Sequence, residues 1–300
     1  MRRAPQRFTK NKDAVRKLQL ETIMKYTLSA KHGKLRYFGL PSSALGDVQE
    51  WQEYFCEFVA VERGEAGREW ELQHDLELAA FRAGLSDKIT LLRGDIDLVI
   101  AKRKDAYGNK VRFPFDVVTL DYSGGLFYRD RLDQLARLAA VSNLIRNQAE
   151  KQASFVLFIS CNLDQVDHGE VQNTIANIRT ELGRYGVVAQ NVIDEYLKHG
   201  RDEARLKIYV PYFVNLEAAK HHYNCETERV IFYEGNRKTR MMAFRFHLQF
   251  DARTQCLRSP RERLSQLLNK PLIEVIGGIP SPTSLGLPKL VSVPDGEGRK

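Results

Sequence analysis

The sequence predicts an α/β fold in which a mostly parallel, doubly wound sheet is closed by an antiparallel hairpin. Three observations carry this. Short, nearly continuous apolar runs alternate with amphipathic helical stretches over residues 35–199, the pattern of a parallel sheet covered on both faces. Around residues 241–250 the pattern changes to period two, with Phe244, Phe246, Leu248 and Phe250 alternating with Arg245, His247 and Gln249. The polar turn Gly235-Asn236-Arg237-Lys238 is short, and a short connection makes the two strands it joins antiparallel.

Taken in order, Asp13 to Lys31 reads as a helix, with Val15, Leu18, Ile23, Met24 and Leu28 on one side and a stop at His32-Gly33. Leu35 to Leu40 reads as a strand. Ser42 to Phe55 reads as a helix with Leu45, Val48, Trp51 and Phe55 on one face. Glu57 to Glu62 is a strand, Trp70 to Ala83 a helix stopped by Gly84, and Ile89 to Arg93 a strand. Asp105 to Arg112, around Gly108-Asn109, reads as a turn or flap. Phe115 to Leu120 and Phe155 to Ser160 are strands flanking a long amphipathic helix over Arg129 to Gln152. Glu170 to Tyr185 and Ala189 to His199 read as helices. Glu228 to Glu234 and Met241 to Phe250 form the hairpin. The expected organisation is a basic N-terminal arm (1–12), one α/β domain (13–275) and a Pro/Gly-rich tail (276–300), disordered or ordered by a partner.

With 300 residues, 43% hydrophobic and 28% charged, the chain can build one large core or two modest ones. No apolar run reaches the length of a membrane-spanning helix, and Met1 to Lys12 lacks a secretory apolar stretch, so the expectation is a cytoplasmic protein without membrane contact. Cys56, Cys161, Cys225 and Cys256 are scattered, which points to reduced thiols rather than a disulfide framework. His221, His222 and Cys225 have loosely ligand-like spacing, but the second ligand pair is missing and no metal is expected. The net charge is +8, and the excess is local: Lys102, Arg103 and Lys104, then Arg237, Lys238 and Arg240, then Arg258, Arg261 and Arg263. Such clusters suit a polyanion, so nucleic acid, RNA or DNA, is the expected partner, with a protein partner possible.

In doubly wound sheets, ligands bind beyond the carboxyl ends of the strands, near the point where strand order reverses. The ends here are Gly39-Leu40-Pro41-Ser42-Ser43, then Glu62, then Gly94-Asp95-Ile96, then Asp121-Tyr122-Ser123-Gly124-Gly125, then Ser160-Cys161-Asn162. A turn of small residues before a helix suits negative charge. Glu62 can accept hydrogen bonds from two ribose hydroxyls. Asp95 could take an adenine amine. A carboxylate at Asp121 can orient a nucleophile or take its proton, and Tyr122 could stack on a base. The plainer reading of each acid is a cap or turn residue. Cys161 has no histidine close in sequence and reads as an inert buried thiol.

An acid after the second strand, G-D-I after the third, F-D-V-V-T-L-D-Y-S-G-G at the fourth and a closing hairpin together resemble the class I S-adenosylmethionine-dependent methyltransferases, as a divergent member. The resemblance spans about Asp13 to Asp251. It implies S-adenosylmethionine as cofactor, held by Gly39, Pro41, Ser42, Glu62, Asp95 and Ile96, with Asp121 and Tyr122 as the catalytic, substrate-facing pair. The first loop, F-G-L-P-S-S-A-L-G, departs from the family's D-x-G-x-G, and the substrate motif is not D/N-P-P-Y/F. Two functions follow as expectations. One is methyl transfer to nucleic acid. The other is a catalytically inactive, methyltransferase-like subunit that binds nucleic acid or a nucleotide within a larger defence or processing complex.

Overall fold

The computed structural model describes residues 10–29, 33–41, 45–63, 69–127, 136–165, 202–235, 238–253 and 270–283, with Gly169, Asn173, Ala176, Thr180 and Leu267 as single residues besides. Its helices are α1 (Lys10–Ser29), α2 (Gly46–Trp51), α3 (Glu69–Arg82), α4 (Ile96–Lys102), α5 (Ala136–Ala149) and α6 (Asp202–Lys220). Its strands are β1 (Leu35–Gly39), β2 (Phe55–Glu62), β3 (Ile89–Arg93), β4 (Val117–Asp121), β5 (Phe155–Asn162), β6 (Tyr223–Glu234), β7 (Arg240–Phe250), β8 (Leu272–Ile276) and β9 (Ile279–Thr283).

The strands make one sheet in the order β3-β2-β1-β4-β5-β7-β6-β8-β9. β1 to β5 are parallel throughout. β7 runs antiparallel between β5 and β6, so the hairpin expected from period-two alternation is present, and β8 and β9 continue the sheet beyond it. This is the α/β, mostly parallel doubly wound sheet with an antiparallel hairpin expected from the sequence. Strand order reverses between β1 and β4, which marks the switch point.

Both faces are covered because the central strands are apolar on both sides. All eight residues of β5 are buried. Adjacent β1 residues serve opposite faces. Phe38 packs in a core with Val99 of α4, Leu144 of α5 and Tyr209 of α6. Tyr37 packs with Ile23 of α1, Trp51 of α2 and Leu76 of α3. A third cluster seats Ala14, Val15 and Leu18 of α1 on β6, β7 and β8.

Several elements differ from expectation. The helix expected over 42–55 is α2, ending at Trp51 and followed by a 3-10 turn over Gln52–Tyr54; residues 42–44 lie outside the described part. β6 begins at Tyr223 rather than Glu228 and is bulged between Thr227 and Arg229. α4 and α6 were not expected at all. The Gly277-Gly278 stretch opens a hairpin rather than a tail, because Ile279–Thr283 pairs antiparallel with β8. The prolines sit where they are tolerated, on an edge strand. Most of the segments expected as helices over 170–199, and the tail from 284, lie outside the described residues.

Candidate functional site

At the carboxyl ends of β2 and β3 lies a cavity of about 800 Å³. Its walls include Glu62, Asp95, Leu76, Leu98, Arg93 and Tyr107. Glu62 and Asp95 reach it because parallel pairing sets Glu62 opposite Arg93, one residue before Gly94. The Gly94 N–H donates to the Glu62 carbonyl at 3.1 Å, tying the two strand ends together. Two of the expected cofactor acids therefore face one space of small-molecule size.

Asp95 also caps α4. Its carboxylate accepts the Asp97 N–H at 2.9 Å and pairs with Arg63 at 3.3 Å. Ile96, the next residue, is buried in the core and offers no side chain to the cavity.

Gly39, where the first loop begins, is tightly packed against the sheet. A Cβ on Gly39 would lie 2.5 Å from the Thr119 carbonyl oxygen and 2.7 Å from the Tyr37 hydroxyl. Glycine here answers to the neighbouring strand, not to a ligand. Pro41 is buried, and Ser42 lies outside the described residues.

At the switch point the structure places charges that sequence reasoning missed. The Lys12 ammonium of α1 meets Asp121 at the end of β4 at 2.7 Å. Arg16, one turn on, pairs with Asp47 of α2, and its Nη1 donates to Asp13 at 2.8 Å. Asp121 and then burial act in opposite senses on Lys12, and its pKa lies above the ordinary lysine value. Burial pushes the Asp47 carboxyl up, against Arg16 and Lys12. A signal was present: Lys12, Arg16 and Gln19 fall at helical spacing, a polar stripe on an otherwise docking helix.

Tyr122 is turned inward, 5% exposed. Its hydroxyl donates to Asp97 at 2.8 Å, and the Arg137 guanidinium lies 4.9 Å from its ring centre. It is thus not the exposed stacking platform expected, because Asp97 and Arg137 enclose it. The Ser123-Gly124-Gly125 turn is likewise filled by protein. A Cβ on Gly125 would meet the Gln165 carbonyl oxygen at 1.4 Å, and Arg137 donates to the Gly125 carbonyl. Cys161 is fully buried, and burial pushes its thiol up to about 12, in keeping with an inert role. Among the described residues no group of three His, Cys, Asp or Glu could hold a metal ion, and no helix is long and apolar enough to cross a membrane.

Burial pushes the Asp97 carboxyl up to about 6, with the Tyr122 hydroxyl opposing and Asp95 adding. The folded protein therefore keeps a proton that the unfolded chain has released. This contribution to stability is present at low pH and is lost as pH rises from about 4 through about 6. Asp97→Asn is expected to remove it, so the variant gains on wild type between acid and neutral pH. Thermal melts across that range check this; a constant difference between the two proteins would contradict it.

The fold is a doubly wound α/β sheet with a cavity at the carboxyl ends of β2 and β3. The chain belongs to the family described as PP_RS20740-like, whose model matches residues 10–204. No curated protein matches the sequence. Among solved structures, it is similar to an O-methyltransferase from Bacillus cereus in complex with SAH, at 12% identity and TM-score 0.42, covering 77% of this chain and 79% of that one. It is also similar to the N-methyltransferase NodS from Bradyrhizobium japonicum WM9, at 10% identity and TM-score 0.41, covering 78% and 96%. A third is a precorrin-6y C5,15-methyltransferase from Geobacter metallireducens GS-15, at 10% identity and TM-score 0.38, covering 78% and 88%.

Proposed function

We propose that this protein is an S-adenosylmethionine-dependent methyltransferase acting on nucleic acid. The observation that carries the reading is the shared cavity of Glu62 and Asp95, two acceptors set on apolar walls at the carboxyl ends of β2 and β3. The cavity suits the adenosine half of the cofactor: Glu62 would accept its ribose hydroxyls, and Asp95 its amine. Bound there, S-adenosylmethionine supplies an electrophilic methyl group. The chain's own part is to align the acceptor. Asp121, at the open end of β4, would orient the nucleophile or take its proton, and Lys12 fixes that carboxylate in place. The nucleic-acid acceptor rests on the net charge of +8 and its clustering.

Calorimetry with S-adenosylhomocysteine tests the cofactor. Wild type should bind, and Glu62→Ala should weaken binding by about 1–3 kcal/mol, the scale of lost hydrogen bonds to a charged group. No binding to folded wild type would favour the second reading, an inactive binding subunit. That reading draws on the Lys12–Asp121 contact and on the protein atoms packed against Gly39, which already fill the space at that position.

A further inference from the structure

The turn after α4 is built more firmly than a solvent loop requires. Lys104 and Lys110 form an antiparallel bridge. Inside the turn, the Asp105 carboxylate accepts N–H bonds from Tyr107 at 2.9 Å, Asn109 at 2.8 Å and Arg93 at 3.3 Å, and the Asn109 amide at 2.9 Å. Burial would raise the Asp105 carboxyl, but these donors hold it below the ordinary range. The acid is thus consumed within the turn, and the turn's outward charge is positive. Lys102, Lys104 and Lys110 are exposed and make no ion pair among the described residues.

At the tip stands Tyr107, 67% exposed. Arg93 fixes it from the sheet side, with its guanidinium 4.9 Å from the ring centre and Nη1 donating to the hydroxyl at 3.0 Å. An aromatic ring held rigid in water, among unpaired ammonium groups and at the mouth of the cavity, loses little entropy on stacking. The other exposed cation here, Arg63, is engaged with Asp95.

We propose that the Lys104–Lys110 flap binds single-stranded nucleic acid, with Tyr107 stacking on a base and Lys102, Lys104 and Lys110 meeting the phosphates. This rests on the nucleic-acid reading above and names the surface that serves it. Unpaired strands are favoured because a protruding ring needs an unstacked base, which a duplex does not offer.

Fluorescence anisotropy with labelled single-stranded RNA, single-stranded DNA and a duplex of the same sequence tests it, with melting curves confirming each variant's fold. Wild type should prefer single strands. Tyr107→Ala should weaken them about 5- to 100-fold, the range of one lost base stack, and Tyr107→Phe should stay near wild type. The double variant Lys104→Gln, Lys110→Gln should lower the salt slope by about 1.4, at about 0.7 per single-strand phosphate contact. RNA and DNA arms distinguish the two sources. Single-strand binding left intact by both the Tyr107→Ala and the lysine variants, or tighter binding of the duplex, would overturn the flap while leaving the nucleic-acid reading standing. No binding of any probe by wild type at low salt would overturn that reading and the flap together.

Discussion

Asp121→Asn should cut methyl transfer about 10²-fold or more, roughly the range for a lost acid–base group, with S-adenosylhomocysteine affinity retained. The amide keeps the shape of the carboxylate and removes its charge. Asp121 sits at the end of β4 with Lys12 on one oxygen, so the variant also loosens α1. Lys12→Gln separates the two roles. If Asp121 serves only to anchor α1, both variants lose the same small amount of stability and keep full activity per folded molecule. If Asp121 meets the acceptor, its asparagine variant alone stops turnover in single-turnover assays.

The largest stability effect should come from Asp47→Ala. The side chains of Arg16 and Asp47 are only 5% and 7% exposed, so removing the acid strands a buried guanidinium with Asp13 at its outer edge. Breaking such a pair costs about 3–5 kcal/mol. Replacing both members together, as Arg16→Met with Asp47→Leu, should cost much less, because neither charge is then left buried. Urea unfolding of the three variants decides this. A cost below about 1 kcal/mol for Asp47→Ala would mean that the pair is solvated in practice.

The parallel strands were legible because burial on both faces demands unbroken apolar runs, and the hairpin because its residues alternate across a short turn, although α1 covers the polar side too and buries Arg245 there. α6 was illegible for the opposite reason. Its L-K-I-Y-V-P-Y-F-V segment is rich in β-branched and aromatic residues and carries Pro211, a strand-like composition that buried packing overrides. α4 has only seven residues, too few to show a period. At the site, the strand-end rule brought Glu62 and Asp95 to one cavity, while Asp121, at the end of β4, lies outside that cavity's lining and pairs with Lys12. It failed for Tyr122, which Asp97 and Arg137 enclose. It also missed Lys12, because a charge contributed from across the fold leaves no local pattern in the strands it meets.

α1 precedes every described strand, yet the surfaces that cover its first turns belong to the last four. Val15 and Leu18 pack on Ile231, Tyr233, Met241 and Val275, and the Gly278 N–H donates to Asn11 at 2.9 Å across 267 positions. During synthesis this helix is made long before its seat exists. Helices in proteins draw most of their stability from tertiary packing, so while Ile23 can settle early against β1 and α2, the side carrying Val15 and Leu18 stays open until β6 to β8 emerge. Closing contacts so distant in sequence is slow, and the domain should mature only once β6 to β9 have been made rather than segment by segment.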